Sequence, residues 1–176
     1  MWIDKDKKHL IILYTMSVQV LHTQAGGGSL AVVIPTRGVE PWRIRNALSS
    51  IRQSVVPVEI MVSDYGSKSS DVYWLLEYAG RFDATLLHVE TDSAWNISVA
   101  YNMGIRRCKS PVIVTVDADI IYSPETFENT LHLVKANNIV IRQPIFIDAN
   151  IPLTDCRSPN HTRYWRINPR DMLAPV

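Results

Sequence analysis

The chain has 176 residues, of which 47% are hydrophobic and 20% charged, and 18 Lys and Arg against 17 Asp and Glu give a formal net charge of +1. This composition is typical of a globular domain and excludes collagen-like, coiled-coil and disordered chains. The near-zero charge argues against a nucleic-acid binder, which needs a basic excess. Two cysteines, Cys108 and Cys156, are too few for a disulfide scaffold and suit a reducing, cytoplasmic compartment.

The sequence is predicted to divide into an N-terminal extension with a Gly-rich linker, residues 1–29, and a single domain, residues 30–176. In the extension, a charged start precedes an apolar run at residues 10–21, which is also the layout of a secretory signal peptide. The run is too short and too polar for a membrane-spanning helix, which needs about 20 apolar residues. We therefore expect an extra helix or strand on the domain surface, with a signal peptide or a membrane contact as the alternative.

Strands and helices alternate along the chain from residue 30. Short apolar runs rich in β-branched residues predict strands, and apolar residues spaced at i, i+3, i+4 and i+7 predict helices with one buried face. The predicted strands are 30–35, 58–63, 85–89 and 111–116, the first and last of them buried, with one or two more within 139–141 and 145–147. The predicted helices are 42–53, 71–81, 97–108 and one that starts with Ser123 as N-cap and Pro124 in its first turn.

This alternation predicts an α/β fold, a mostly parallel sheet with helices on both faces. Such sheets bind ligands beyond the carboxyl ends of their strands, so the polar residues that follow each strand are the candidates for a site. They include Arg37, Asp64, Asp117 and Asp119. None of these loops has the glycine spacing of a dinucleotide-binding or P-loop motif, which excludes a Rossmann dehydrogenase and a P-loop NTPase.

The sharpest motif is Asp117-Ala118-Asp119, directly after the predicted strand 111–116. Its two carboxylates are hard oxygen ligands of the kind that Mg²⁺ and Mn²⁺ prefer while keeping open positions for substrate phosphates. Aspartate pairs are also common in turns and helix caps, which is the alternative interpretation. The position at the end of a strand favours a metal site.

Other candidates have structural alternatives as well. The segment that begins at Asp64 has residue types that favour a turn, which is the structural interpretation. The Asp64 carboxylate can also accept a hydrogen bond from a nucleobase. Trp95 and Asn96 can simply start and cap a helix. Asn102 lies inside the same predicted helix, where asparagine is mildly unfavourable without a partner.

Four segments taken in order resemble the nucleotide-sugar-binding half of the family 2 glycosyltransferases, which have the GT-A fold. They are AVVIPTRG (31–38), EIMVSDYGS (59–67), WNISVAYNMGIRRC (95–108) and VIVTVDADI (112–120), and the resemblance extends to about residue 130. It implies a metal-dependent transfer, with inversion, of a sugar from a nucleoside-diphosphate donor to a hydroxyl of a glycan or other acceptor. A UDP-sugar is favoured over a GDP-sugar, and the cation is Mn²⁺ or Mg²⁺.

The resemblance also implies site roles. Asp64 would hold the base, typically uracil, Asp117 would lie near the ribose or a metal-bound water, and Asp119 would ligate the metal. The donor-binding set is Pro35, Thr36, Arg37, Asp64, Trp95, Asn96, Asn102 and Asp117, and the metal ligands are Asp117 and Asp119.

Two departures from the family pattern bear on activity. Tyr65 stands where the family often has a second aspartate, and the segment after Asp119 is short and lacks a Glu-Asp or Gln-x-x-Arg-Trp motif. The candidates for a general base are, by position, Asp148, Asp155 and His161; each has a turn or surface role as its alternative, and His161 is also a candidate third metal ligand.

The alternative function is a nucleotide-sugar-binding module without an acceptor half of its own, inactive alone. A homo-oligomer or a partner chain is the candidate for completing the acceptor site. A sugar-nucleotide pyrophosphorylase is disfavoured because the Gly-rich, basic loop after the first strand is missing.

Overall fold

The computed structural model describes residues 18–24 and 28–134. Five strands and four helices follow one another in these ranges. The strands are β1 (Gln19–His22), β2 (Leu30–Thr36), β3 (Val58–Tyr65), β4 (Thr85–Val89) and β5 (Ile113–Thr115). The helices are α1 (Pro41–Ile51), α2 (Ser69–Arg81), α3 (Ile97–Ile105) and α4 (Thr126–Leu133).

The strands form one sheet in the order β1-β4-β3-β2-β5. Strands β2 to β5 are parallel, and β1 pairs antiparallel with β4 at one edge. The prediction of an α/β fold with a mostly parallel sheet is therefore confirmed. The parallel register brings the carboxyl ends of β2, β3 and β4 to the same edge of the sheet, with Thr36 opposite Asp64 and Asp64 opposite His88.

Helices cover both faces of the sheet. One hydrophobic cluster joins α1, α2 and α4 to the sheet, with Ile44, Leu75 and Phe127 as buried members. A second cluster on the opposite face packs Ala100 and Met103 of α3 against β2, β3 and β4. The predicted apolar stripe of α1 is the face that it buries. Leu76 of α2 and Ile97 of α3, also expected on buried faces, are instead 40% and 44% exposed, because each lies at the margin of its helix's contact with the sheet.

The predicted burial of the strand at 111–116 is wrong for β5. Ile113 is 40% exposed and Thr115 is exposed, while Val114 packs against the first cluster. The reason is that the second cluster packs on β2, β3 and β4 alone, and β5 lies beyond it at the edge of the described sheet, so one face of β5 is left uncovered there. An apolar run of this kind predicts a strand but does not reveal whether both of its faces are covered.

The start of α4 also differs from the prediction. The helix begins at Thr126 with Glu125 as the flanking residue, rather than at Pro124 with Ser123 as N-cap. The Ser123 carbonyl accepts a hydrogen bond from the Thr126 amide at 3.0 Å, which makes the preceding segment a turn. The hydroxyls of Ser123 and Thr126 also lie 3.0 Å apart.

Part of the N-terminal extension forms β1 of the same sheet, in agreement with the expectation of an extra helix or strand there. After β1, the buried Gln24 accepts a hydrogen bond from the Ile60 amide at 2.7 Å and donates to the Val58 carbonyl at 3.2 Å. The division of the chain at residue 29 stays a prediction, and the short strands expected within 139–141 and 145–147 lie outside the described residues. None of the helices described is long and apolar enough to cross a bilayer.

Candidate functional site

The loop after β2 is tied to the loops that follow β3 and β4. The Arg37 guanidinium donates a hydrogen bond to the Ser93 carbonyl, and the Gly38 amide donates to the Ser67 hydroxyl at 2.9 Å. Gly38 has a φ of 58°, which a residue without a Cβ adopts at little cost. Three strand ends therefore share one hydrogen-bonded rim at the carboxyl edge.

Thr36 is the last residue of β2 and is 1% exposed. Its Oγ1 has no hydrogen-bond partner in the part of the chain that the structure describes. A buried hydroxyl without a partner is rare in native proteins and is a reasonable point of contact for a ligand. Pro35 precedes it in the strand and is buried as well.

Asp64 is 0% exposed at the end of β3, and both of its carboxylate oxygens have partners. The Ser67 hydroxyl donates to one oxygen, and Nδ1 of His88 lies 2.6 Å from the other. Burial raises the pKa of the Asp64 carboxyl, and the hydrogen bonds from Ser67 and His88 oppose that rise. Direct contact between Asp64 and a base stays a prediction, because the carboxylate would have to exchange one of these partners for a ligand.

His88 was not predicted as a site residue. The only sign in the sequence is a histidine within the otherwise apolar strand TLLHV, and buried histidines of this kind are often structural. Its relevance follows from the parallel register of β3 and β4, which sets it beside Asp64.

Trp95 and Asn96 lie at the start of α3. The Trp95 ring is 44% exposed, and its centroid lies 6.3 Å from that of the buried Tyr65. Asn96 caps the helix, since its Oδ1 accepts a hydrogen bond from the Val99 amide at 3.1 Å. Asn102 lies further along the helix and is exposed.

The two aspartates after β5 are exposed and interact with other elements. The Tyr101 hydroxyl of α3 donates to Asp117 at 3.1 Å, and burial followed by the Asp117 charge raises the pKa of Tyr101 to about 12. Nη1 of Arg43 lies 3.3 Å from Asp119 Oδ2, and Nε of Arg43 lies 2.6 Å from the Glu40 carboxylate. Neither Tyr101 nor Arg43 could be predicted as a partner from local sequence, because both contacts join separate elements.

The two carboxylates on the loop after β5 are suitable ligands for a hard divalent cation that takes its remaining ligands from phosphates and water. Asp117 and Asp119 supply two exposed carboxylates on one short loop. No group of three or more His, Cys, Asp or Glu side chains that could hold a metal occurs within residues 18–24 and 28–134. Asp148, Asp155 and His161 lie outside the described residues, so their roles stay predictions.

Two concavities lie away from this rim, at the amino-terminal edge of the strands. One of about 320 Å³ lies beside residues 51–58, and one of about 180 Å³ lies between Gln24, Glu59 and Arg107. Ligands of open parallel sheets bind at the carboxyl edge, where the polar loops of this chain converge. We therefore assign the candidate site to the rim formed by the loops after β2, β3, β4 and β5.

Comparisons with known proteins agree on one family and one fold. A family model described as Glycosyl transferase family 2 matches residues 31–173. Undecaprenyl-phosphate 4-deoxy-4-formamido-L-arabinose transferases from Pseudomonas fluorescens strains Pf0-1 and Pf-5 are each 28% identical over 99 residues, which is 54% of this chain and 29% of the relative. The match thus spans less than a third of the length of these relatives.

Two solved structures share the fold. Mannosyltransferase PcManGT from Pyrobaculum calidifontis, in complex with GDP-Man and Mn²⁺, has a TM-score of 0.56 and 20% identity over 77% of this chain and 42% of its own. S. aureus TarS 1-349 has a TM-score of 0.50 and 16% identity over 68% of this chain and 40% of its own. At these identities the likeness is one of fold.

Proposed function

The chain belongs to glycosyltransferase family 2, and from that premise we propose that it transfers a sugar from a nucleoside-diphosphate sugar to an acceptor hydroxyl, with inversion. The observation that carries the proposal is the pair of exposed carboxylates, Asp117 and Asp119, on the rim that also holds the loop after β2. The GT-A fold expected from the sequence agrees with the solved structures that resemble this chain. A UDP-sugar is the favoured donor and a GDP-sugar the alternative.

The donor lies, in this proposal, across the carboxyl ends of β2, β3 and β5. Pro35, Thr36 and Arg37 line the nucleotide. Their polar groups are the Arg37 guanidinium and the Thr36 hydroxyl, which has no hydrogen-bond partner within residues 18–24 and 28–134. Asp64 lies under the base, and Trp95, Asn96 and Asn102 form the wall toward the ribose and diphosphate. The exposed Trp95 ring offers a surface on which a base or sugar can stack.

Asp117 and Asp119 would hold a divalent cation, Mn²⁺ or Mg²⁺. When bound, such a cation supplies Lewis-acid neutralisation of the charge that develops on the departing diphosphate. Tyr101 orients the Asp117 carboxylate through its hydrogen bond, and Arg43 neutralises Asp119 through an exposed ion pair. An inverting transfer also needs a general base at the acceptor, for which Asp148, Asp155 and His161 remain the candidates.

The acceptor is proposed as a class, a hydroxyl on a glycan or another molecule. The names of the Pseudomonas fluorescens relatives include undecaprenyl phosphate, which makes a polyprenyl phosphate the second acceptor to assay. We place the reaction in the cytoplasm, with contact to a membrane through the N-terminal segment as the alternative. A homo-oligomer or a partner chain that completes the acceptor site belongs to the same proposal.

Nucleotide binding should depend on a divalent cation and on Asp119. We expect calorimetric titration to show UDP binding in the presence of Mn²⁺, weakened at least about tenfold in Asp119→Ala because a charged ligand of the metal is lost. GDP is titrated in parallel to identify the base. Glu77→Ala removes the same charge from the exposed face of α2 and serves as the matched control.

The proposal fails if a folded wild-type protein binds neither nucleotide. If Asp119→Ala and Glu77→Ala bind UDP equally well in the presence of Mn²⁺, the proposed role of Asp119 as a metal ligand is contradicted. Nucleotide binding without transfer to any acceptor would instead identify the chain as a donor-binding module.

Arg43 should compete with the metal for Asp119. Two unit charges about 4 Å apart interact with roughly 1 kcal/mol in water, so Arg43→Gln should tighten Mn²⁺ binding about threefold to fivefold at low salt. Titration of Mn²⁺ monitored by electron paramagnetic resonance, without nucleotide, measures the effect. Arg45→Gln, an exposed arginine on the same helix, is the control.

The difference between the two arginine variants should shrink at high salt, because exposed pairs are screened. Equal Mn²⁺ affinity in Arg43→Gln and Arg45→Gln would contradict the competition. A loss of UDP affinity in Arg43→Gln at unchanged Mn²⁺ affinity would place Arg43 on the diphosphate instead.

A further inference from the structure

The two aspartates after β5 lie on a stretch of chain that buries the residues between and before them. Val116 and Ala118 are buried in the first hydrophobic cluster, whereas Asp117 and Asp119 are exposed. The Val116 amide also donates a hydrogen bond to the Val33 carbonyl at 3.0 Å, which continues the pairing of β5 with β2. Burial of alternate residues therefore turns both carboxylates toward solvent.

The chain that follows these aspartates runs along helix α1. Near the start of α1, Arg43 contacts Asp119 at 3.3 Å. Near its end, the Ser50 hydroxyl accepts a hydrogen bond from the Tyr122 amide at 3.1 Å. Arg43 and Ser50 are seven residues apart, about two helical turns, and so lie on the same face of α1. Residues 116–122, which we call the aspartate loop, are thus attached to α1 at two points.

These two contacts with α1 differ in their surroundings. The side chains of Arg43 and Asp119 are 39% and 53% exposed, and ion pairs this open to solvent are weak. Ser50 is 5% exposed, and its hydroxyl donates to the Ala47 carbonyl at 2.8 Å, which leaves its lone pairs for the Tyr122 amide. A cation bound by Asp119 would displace Arg43, whereas the contact at Ser50 would stay in place.

Tyr122 is also held through its ring. The ring packs against the first hydrophobic cluster, and its centroid lies 5.3 Å from that of the buried Phe127. Ser50 thus fixes the backbone of a residue whose side chain already has a place in the core. Because Tyr122 follows Asp119 by three residues, a displacement of its backbone also moves the Asp119 carboxylate.

We propose that Ser50 is a positioning residue for Asp117 and Asp119, which acts by fixing the Tyr122 amide and with it the path of the aspartate loop. The Ser50 hydroxyl is buried and already bonded within the protein, so its effect on a ligand is indirect. This inference rests on the proposed function only for the cation that the two carboxylates would hold. The dependence of the aspartate loop on Ser50 is a property of the protein without any ligand.

The first test needs neither metal nor nucleotide. Ser50→Ala leaves the Tyr122 amide without its acceptor, so hydrogen exchange followed by NMR should show this amide exchanging at least about fivefold faster. The amide signals of Asp117 and Asp119 should shift in the same variant, because the aspartate loop relaxes away from α1.

Two further variants separate this role from a general loss of stability. Thr130→Val is the matched control, because Thr130 is also buried in a helix and its hydroxyl donates to the Thr126 carbonyl of that helix at 2.8 Å. This control should leave the amide signals of Asp117 and Asp119 at their wild-type positions. Ser50→Thr keeps the hydroxyl, and it should restore both slow exchange and the wild-type signals.

The second test is titration of Mn²⁺ alone, monitored by electron paramagnetic resonance. Ser50→Ala should weaken Mn²⁺ binding about threefold to tenfold, because Asp117 and Asp119 no longer start from the geometry that the cation requires. Thr130→Val should bind Mn²⁺ as the wild type does, and Ser50→Thr should recover most of the affinity. Circular dichroism shows that each variant is folded before it is titrated.

Two results would overturn the inference. One is that the amide signals of Asp117 and Asp119 stay unchanged in folded Ser50→Ala, and the other is equal Mn²⁺ affinity in Ser50→Ala and Thr130→Val. A wild-type protein that binds no Mn²⁺ would refute the metal site of the proposed function, while the amide signals would still decide the role of Ser50. If Ser50→Ala does not fold, Ser50→Cys replaces it, since a thiol has similar volume and is a weak acceptor.

Discussion

Replacement of Glu59 by alanine is expected to lower the free energy of unfolding by about 2–4 kcal/mol, because it leaves buried donors without an acceptor. Glu59 lies on β3 and is 4% exposed. Its carboxylate accepts hydrogen bonds from the Lys109 amide at 3.0 Å, the Ser110 amide at 2.9 Å and the Ser110 hydroxyl at 2.7 Å. Urea denaturation followed by circular dichroism measures the change.

Replacement of Glu59 by alanine should also weaken nucleotide binding at the candidate site. The residues held by Glu59 immediately precede β5, and β5 leads into Asp117 and Asp119. We therefore expect weaker Mn²⁺-dependent UDP binding in the fraction of Glu59→Ala that stays folded. The charge of Glu59, after burial, also helps to raise the pKa of Cys108 to about 11, so that pKa should fall toward its ordinary value in the variant.

Two variants show whether the buried acceptor is responsible. Glu59→Gln keeps one acceptor oxygen and nearly the same shape, and it should lose less stability than Glu59→Ala. Glu77→Ala removes an exposed carboxylate and should change stability by no more than about 0.5 kcal/mol. Equal stability of Glu59→Ala and Glu77→Ala would show that the turn before β5 does not depend on Glu59.

Replacement of Gly104 by alanine is expected to destabilise the protein by about 1–3 kcal/mol through overpacking. A Cβ on Gly104 would lie 2.4 Å from Cγ1 of Val33, 2.6 Å from Oγ of Ser63 and 3.2 Å from Cγ of Met61. These atoms belong to the central strands β2 and β3, which cannot yield easily. Helix α3, which carries Gly104, would have to move away from the sheet.

A second helical glycine is the natural control for this prediction. Gly80 lies in α2, and the nearest atom to a Cβ there is Nε2 of His22 at 3.8 Å, an ordinary contact distance. Gly80→Ala should therefore raise stability by up to about 1 kcal/mol, since alanine favours the helix. Thermal unfolding of both variants should show shifts of opposite sign, and an equal rise in both would refute close packing at Gly104.

Local patterns in the amino-acid sequence are enough to predict most strands and helices of this chain and the parallel sheet that they form. The strand predicted at 85–89 is β4 itself, and the helix predicted at 42–53 differs from α1 by one or two residues at its ends. Alternation of these elements was enough for the parallel sheet, and parallel strands place the residues that follow them at one edge. The local pattern alone therefore predicts that Arg37, Asp64 and Asp117 follow strands that end at the same edge of the sheet.

The contacts between side chains at that edge, in contrast, depend on packing between elements that are distant in the chain. His88 lies 24 residues from Asp64, and Arg43 lies 76 residues from Asp119, so no spacing in the sequence predicts either contact. The exposure of β5 could not be predicted from the sequence pattern either, because it depends on the order of the strands in the sheet. Hydrophobic periodicity indicates which face of a helix or strand is buried. It does not indicate which residues lie across that face, because those contacts form between elements that are far apart in the chain.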